Sequence, residues 1–276
     1  MQRRAVFVTG GTGYMGRRLI ERLVSRGHTV RALVRPASMG RLPGGCEPVL
    51  GDALDASTFA HLVAPSESFV QLVGTPHPSP SKAAQFRAVD LASARESLRA
   101  AVGGGARHFV YVSVAQPAPA MHAYVAVRAE GEAMIRASGL AATILRPWYV
   151  LGPGHRWPYA LVPLYWMAER IPRTRESALR CGLVTIARML TALVRAVEEP
   201  ATGVRVVTVP EIRSGEWMES GNTSAGPVDA DRGTGARNDA VTGIPRPVAG
   251  IATASADAAV SASPRGSELS NRSETR

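Results

Sequence analysis

The stretch AVFVTGGTGYMG, residues 5 to 16, places a short β-rich run directly before a glycine-rich loop. Two overlapping glycine spacings occur in it, Gly11-x-Gly13-x-x-Gly16 and Gly10-x-x-Gly13-x-x-Gly16. In such loops the early glycines permit a tight turn, the middle one lets backbone N–H groups approach a pyrophosphate, and the last allows close helix packing. The stretch therefore predicts the first strand–loop–helix turn of a dinucleotide-binding fold.

A helical pattern follows this loop, and its apolar positions fall on one face: Met15, Leu19, Ile20, Leu23 and Val24. A helix that starts at the loop presents its positive end to bound phosphates. A nucleoside-triphosphate loop would need lysine and then serine or threonine after the final glycine, whereas this chain has Arg17 and Arg18. The loop is therefore typical of dinucleotide binding.

Six β-rich runs alternate with helical patterns over the first part of the chain. They are AVFVTG (5–10), TVRALVR (29–35), EPVLGD (47–52), SFVQLVG (68–74), HFVYVSV (108–114) and ATILRP (142–147). Such alternation indicates βαβ units and a mostly parallel sheet. We predict an α/β fold, a Rossmann-like doubly wound parallel sheet with a small C-terminal cap region and a disordered tail.

The chain divides into three segments by composition. Residues 1–152 form the predicted dinucleotide-binding core, and residues 153–213 form a cap region and a last strand that complete the same domain. Residues 214–276 are rich in small and polar residues and are predicted to be disordered. The apolar stretch YALVPLYWMA (159–168) is too short to span a bilayer and is predicted to be a core-facing helix or a pocket wall.

Composition disfavours several other classes of protein. The net charge is +10, but no basic run with interleaved aromatic residues is present, which argues against nucleic-acid binding. Cys46 and Cys181 cannot form a disulfide framework, and the start of the chain has no signal-peptide cleavage site, so we expect a cytoplasmic protein. No histidine or cysteine cluster has metal-ligand spacing, and we predict no metal.

The end of the second predicted strand bears on the choice of cofactor. Arg35 stands where an acidic residue would accept hydrogen bonds from the ribose of NAD, and a guanidinium suits a 2′-phosphate instead. This favours NADP(H), with NAD(H) as the alternative. Asp52, just past the third strand, is placed to reach an adenine amino group. The alternatives are a solvated surface arginine and a loop aspartate, with Asp55 capping the next helix.

The segment YVAVR, residues 124 to 128, places a tyrosine one helical turn before a strong base. A large class of reductases uses this spacing to deliver a proton beside a nicotinamide ring. The alternative is a helix face on which Tyr124 packs and Arg128 meets solvent.

With TGGTGYMG, Arg35, GDALD (51–55), YVAVR and RPWYVLGPG (146–154), the chain resembles the atypical and extended short-chain dehydrogenase/reductases over residues 4 to 212. Among these it is similar to NmrA-like regulators and to the nucleotide-binding accessory subunit of respiratory complex I. The resemblance implies a cofactor site made of Gly10, Gly11, Thr12, Gly13, Tyr14, Met15, Gly16, Arg35, Asp52 and Pro147. It implies catalytic roles for Tyr124, Arg128 and Ser113.

The chain departs from that family at two positions. Active members have lysine where Arg128 stands, and arginine keeps the charge but cannot give up its proton. They also place serine or threonine where this chain has Val114, and Ser113 is the neighbouring hydroxyl on the fifth strand. Asp90 stands where many relatives have asparagine.

Two functions fit this sequence. The first is an NADP(H)-dependent oxidoreductase or epimerase that acts on a small, apolar, carbonyl-type substrate. Its pocket would be lined by Trp148, Tyr149, Trp157, Tyr159, Tyr165 and Trp166. The second is a protein that binds NADP(H) without turnover, as a redox sensor or an assembly subunit. Both bind a nicotinamide dinucleotide, and only the first needs a substrate.

Overall fold

The computed structural model describes residues 2–153 and 160–217 of the chain. The strands in these residues are β1 Ala5–Thr9, β2 Thr29–Val34, β3 Glu47–Leu50, β4 Ser68–Gln71, β5 His108–Val112, β6 Ala141–Leu145, β7 Tyr149–Leu151, β8 Leu183–Thr185 and β9 Val204–Val207. The α-helices are α1 Tyr14–Ser25, α2 Ala83–Gln85, α3 Ala92–Gly103, α4 His122–Ala137, α5 Val162–Ala168, α6 Pro172–Arg180, α7 Ile186–Glu198 and α8 Val209–Ser214. A π-helical turn, Phe86–Leu91, joins α2 to α3.

Seven strands form one parallel sheet in the order β3-β2-β1-β4-β5-β6-β9. The chain builds outward from β1 to β3 and then returns to the other side of β1 with β4. This reversal leaves a crevice at the carboxyl ends of β1 and β4, where ligands bind in such sheets. The predicted Rossmann-like doubly wound fold is confirmed. The small β7–β8 sheet was not predicted.

The core lies on both faces of the large sheet. On one face the rings of Phe7, Phe59, Phe69 and Phe109 form a stack with centroids 5.1 to 6.0 Å apart. On the other face α1 and α7 pack over the sheet through residues such as Leu19, Leu23 and Leu193, which are fully buried. Parallel strands that are covered on both faces read as apolar runs, which is why they could be recognised in the sequence.

Two predictions about segments outside the large sheet need correction. Helix α5 buries none of its residues, so the core-facing alternative for the segment 159–168 was wrong. Packing also continues past the predicted boundary at Arg213, because the Trp217 indole contacts the core and the Arg195 guanidinium lies 4.6 Å from its ring centre. The predicted tail beyond Trp217 lies outside the described residues, as do Trp157 and Tyr159.

The buried His108 imidazole gives the stability of this fold a pH dependence. Its Nε2 atom lies 3.0 Å from the Thr143 hydroxyl. Burial, reinforced by the positive charges of Arg205 and Arg4, lowers the pKa of His108 from 6.5 to about 4. The unfolded chain therefore takes up a proton below about pH 6.5 that the folded chain does not bind until about pH 4.

We expect the free energy of unfolding to fall by up to about 3 kcal/mol as the pH is lowered through this window. Urea denaturation at several pH values would measure it. In His108→Gln, which keeps a group able to bond Thr143, this part of the pH dependence should disappear. An identical pH profile in the variant would show that other groups cause the loss.

Candidate active site

The loop after β1 is closed by backbone contacts that leave no room for side chains. Gly10 has φ +75°, a left-handed conformation, and a Cβ there would lie 2.7 Å from the Leu72 carbonyl carbon. The Gly13 N–H donates to the Gly10 carbonyl oxygen at 3.0 Å, which tightens the turn. A Cβ on Gly16 would collide with that same oxygen. The first and last glycines are therefore required by the fold itself.

Gly13 differs from its neighbours because it is exposed. Its backbone is extended, with φ −77° and ψ 174°, and a Cβ would meet only the Gly10 carbonyl oxygen, at 3.2 Å. Because the N-cap residue is Gly13, no side chain caps the first turn of α1, and no acidic residue lies in that turn. The positive end of α1 thus faces a space that a side chain at residue 13 would fill. This arrangement fits a diphosphate group.

The rest of the loop is held against the segment that follows β6. The Arg18 guanidinium lies 4.2 Å from the centre of the Tyr14 ring and donates to the Tyr14 carbonyl oxygen at 2.8 Å. A Cβ on Gly152 would collide with the Tyr14 hydroxyl, so the two segments touch. Thr12 is half-buried, and Met15 packs against the core.

Arg35 and Asp52 lie at the same sheet edge as the glycine loop, because each follows a parallel strand on the β1 side. The Arg35 side chain is exposed directly after β2. The Asp52 side chain, after β3, is exposed and its Oδ1 accepts a hydrogen bond from the Leu54 N–H at 3.0 Å. Asp55 caps the short 3₁₀ helix Ala56–Thr58, as predicted.

Pro147 lies on the other side of the switch point, after β6. It is buried, and its carbonyl oxygen accepts a hydrogen bond from the Ala115 N–H at 2.9 Å. The structure therefore brings the segment after β6 against the end of β5.

Tyr124 and Arg128 come together on α4, as their spacing predicted. The Tyr124 ring is half-buried and meets the Phe86 ring edge to face, with centroids 5.0 Å apart. The Arg128 guanidinium lies 5.0 Å from the centre of the Tyr124 ring. The alternative in which Arg128 meets solvent is wrong, because only 6% of this residue is exposed.

Arg128 is held by a buried ion pair that sequence spacing did not reveal. Its Nη2 atom lies 2.5 Å from Asp90 Oδ1, and its Nη1 donates to the Val112 carbonyl oxygen at 2.9 Å. The other Asp90 oxygen accepts hydrogen bonds from the Thr75 N–H and hydroxyl, at 2.9 and 2.6 Å. Gly74 allows this packing, since a Cβ there would lie 2.7 Å from Arg128 Nη2.

This pair determines what Arg128 can do. Burial alone would lower the pKa of Arg128, but the nearby Tyr124, Tyr111 and Asp90 outweigh it and the pKa is raised, so the guanidinium stays charged. Two of its nitrogens already donate to Asp90 and Val112. Arg128 is thus placed to act on Tyr124 as a fixed positive charge, and the arrangement does not present it as a clamp for ribose hydroxyls.

Ser113 belongs to a different buried network. Its hydroxyl donates to Glu132 Oε1 at 2.6 Å. The Glu132 carboxylate also accepts hydrogen bonds from Gln116, Arg136 and Arg146. Burial raises the pKa of Glu132, but the bonds from Arg146 and Ser113 lower it more, so it stays ionised. The hydroxyl proton of Ser113 is engaged here, which removes the geometric support for a substrate-holding role. The next side chain, Val114, is buried.

A cleft of about 350 Å³ lies beside β7 and β8. Leu151, Val162, Tyr165 and Trp166 provide much of its apolar wall, and Glu169, Arg188 and Arg213 line it as well. Burial, the largest cause, raises the pKa of Tyr165 to about 12. The pocket-wall alternative for α5 is therefore confirmed for two of the predicted aromatic residues.

Among residues 2–153 and 160–217, no group of three or more His, Cys, Asp or Glu residues could hold a metal ion. No helix in that part of the chain is long and apolar enough to cross a membrane.

Comparison with known proteins places this chain in a family. Residues 10–158 match the family model described as NAD(P)H-binding. A 3-diazoavenalumate denitrifying reductase from a Streptomyces species is 31% identical over 246 residues, which covers 77% of this chain and 79% of that protein. A ceramide reductase from Caulobacter vibrioides is 28% identical over 204 residues, covering 73% of this chain but only 63% of that relative, less than two thirds of its length.

Solved structures share the fold at low sequence identity. The Bordetella bronchiseptica enzyme WbmH, solved in complex with NAD+, aligns with a TM-score of 0.56 at 19% identity, covering 75% of this chain and 76% of that one.

Proposed function

Because the chain belongs to the NAD(P)H-binding family of atypical short-chain dehydrogenase/reductases, we propose that it is an oxidoreductase that moves hydride between NADP(H) and a small, largely apolar carbonyl substrate. The observation that carries this proposal is the exposed, side-chain-free Gly13 at the start of α1, between the sealed Gly10 and Gly16 positions, at the point where the strand order reverses. A nicotinamide dinucleotide supplies the hydride when it is bound.

The chain's own residues would act in three ways. The first-turn N–H groups of α1 would bind the diphosphate. The Tyr124 hydroxyl would donate a proton to the substrate oxygen as that oxygen gains negative charge. Arg128, fixed by Asp90, would stabilise the negative charge that develops on the tyrosine.

The preference for NADP(H) over NAD(H) rests on Arg35. Its exposed side chain follows β2 and is available to a 2′-phosphate. We expect Arg35→Ala to weaken NADPH binding by about 10- to 100-fold, the value of a charge-assisted hydrogen bond, and to leave NADH binding unchanged. Fluorescence titration would measure both affinities. Arg41→Ala is the matched control, because Arg41 is also exposed and ends the 3₁₀ helix Pro36–Arg41, which begins directly after Arg35. Equal losses of affinity for NADPH and NADH would show that Arg35 does not discriminate between the two cofactors.

The diphosphate site predicts opposite results at two glycines. Gly13→Val should still fold, because the backbone is extended and a Cβ would meet only the Gly10 carbonyl oxygen, at 3.2 Å, which a small shift relieves; it should weaken NADPH binding about 100-fold or more by blocking approach to the N–H groups. Gly44→Val, at another exposed and open glycine, should affect neither property. Calorimetric titration and thermal melts would test this. Unchanged binding in Gly13→Val would place the diphosphate elsewhere.

The substrate class is supported by the cleft and by two relatives. The wall formed by Leu151, Val162, Tyr165 and Trp166 suits an apolar group, and the two relatives described above are both named as reductases. The test is NADPH oxidation by the full chain across a panel of aldehydes and ketones, including long-chain ketones. We expect turnover that is faster for apolar members. No turnover with any member, in protein that binds NADPH, would overturn the enzymatic proposal.

Absence of turnover in protein that binds NADPH would favour a protein that binds NADP(H) without catalysis. Val114 supports this alternative, because a buried aliphatic side chain stands where relatives hold the substrate carbonyl with a hydroxyl. Loss of one such donor costs about 10²–10³-fold in rate, so the enzyme we propose is a slow one.

A further inference from the structure

Helix α5 and the residues after it expose an unusual amount of apolar surface. Val162, Leu164, Trp166, Met167 and Ile171 are between 41% and 58% exposed. They are five of the nine large apolar side chains that are exposed in the described part of the chain. We call this group, together with Arg170, Arg173 and Arg175, the α5–α6 surface. Exposed apolar side chains concentrated in one short segment in this way mark a place where something docks.

The same surface carries an excess of positive charge. The Arg170 guanidinium lies 3.5 Å from the centre of the Trp166 ring. Arg173 and Arg175 are exposed at the start of α6. The two acidic residues between positions 160 and 180 are each paired with another arginine, Glu169 with Arg213 at 2.7 Å and Glu176 with Arg180 at 3.0 Å. Three arginine charges next to the apolar residues are thus left without a carboxylate partner among the described residues.

We propose that the α5–α6 surface docks the protein on membranes that contain anionic lipid. An anionic bilayer offers hydrocarbon for the apolar side chains and negative headgroups for the arginines, and a tryptophan stacked with arginine suits the boundary between them. The net charge of +10 acts in the same direction. A second copy of the chain fits less well, because a symmetric dimer through this face would bring its three arginines towards the same three of the partner.

Docking would also affect access to the cleft. Val162 and Trp166 belong both to the α5–α6 surface and to the cleft wall. A docked protein would therefore hold the cleft beside the hydrocarbon, from which an apolar substrate could enter. This consequence rests on the proposed function, whereas docking itself does not.

The test is co-flotation of the full chain with vesicles, with no substrate present. We expect binding to vesicles of phosphatidylcholine mixed with phosphatidylglycerol, and at least about tenfold weaker binding to phosphatidylcholine alone. Leu164→Glu and the double variant Arg173→Glu with Arg175→Glu should each weaken binding about tenfold or more. Val102→Glu, at an apolar position that is 53% exposed against 51% for Leu164, should bind like the unmodified chain.

Thermal melts would show that each variant is folded, and NADPH titration would report the proposed function separately. Equal binding to neutral and anionic vesicles would overturn the proposal. So would Leu164→Glu binding vesicles normally. If sedimentation shows a dimer that Leu164→Glu dissociates while vesicle binding is absent, the α5–α6 surface is a subunit interface and the membrane proposal is wrong.

Discussion

Asp90→Ala is expected to lower the free energy of unfolding by about 3–5 kcal/mol, because it leaves a buried guanidinium without its counter-charge. Asp90 is fully buried, and its carboxylate bonds both Arg128 and Thr75. Removing one partner of such a pair exposes the whole desolvation cost of the other, whereas the intact pair contributes little. Urea denaturation of the nucleotide-free protein would measure the loss.

Two matched variants separate the charge from the packing. Thr75→Val removes one hydrogen bond to Asp90 without unpairing a charge, and should cost only about 1–3 kcal/mol. Combining Asp90→Ala with Arg128→Met should recover much of the stability, because no buried charge is then left. If the double variant is as unstable as the sum of the single ones, the ion pair is not the cause of the loss.

Tyr124→Phe is expected to lower the turnover of the proposed reductase by about 10²–10⁴-fold, because it removes the group that donates the proton. The phenylalanine ring can keep the packing against Phe86 and Arg128, so the melting temperature should be nearly unchanged. Binding of NADPH should also be close to that of the unmodified chain. Steady-state NADPH oxidation with the best substrate of the carbonyl panel would measure the rate.

The pattern of kinetic changes distinguishes chemistry from binding. Loss of a proton donor lowers kcat and kcat/KM together, whereas loss of packing alone would mainly raise KM. Turnover that survives Tyr124→Phe unchanged would assign the proton transfer to another residue or to water.

Much of the fold could be predicted from the sequence because its signals are local. The central strands β1, β4 and β5 are buried on both faces of the parallel sheet, which makes their β-rich runs apolar. The glycine loop and the tyrosine–arginine pair were also readable, since a tight turn and one helical turn are set by neighbouring residues. The strands β7 and β8 were missed because three residues are too few to show an alternating pattern.

The contacts that define the site could not be predicted in the same way. Asp90 and Arg128 are 38 positions apart, and nothing in their spacing says that they touch. A signal was nevertheless present, because Asp90 stands where many relatives have asparagine, and the added carboxylate can pair with the positive charge that Arg128 keeps. For Ser113 no such signal was present, since its position next to Val114 did not reveal that its hydroxyl donates a hydrogen bond to Glu132.

The core-facing prediction for the α5 segment was wrong for a physical reason. An apolar run has the same composition whether it packs into a core or lies on a surface that a partner covers, and only tertiary structure separates the two. The exposure of Leu164, Trp166 and Met167 is therefore information that the sequence did not contain.

The central claim is that the loop after β1 binds a nicotinamide dinucleotide. Titration of NADPH into nucleotide-free protein, followed by nicotinamide fluorescence, tests it most directly. We expect saturable binding of one NADPH per chain, with NADH binding more weakly. Absence of any saturable change with either cofactor, in protein that melts cooperatively, would contradict it.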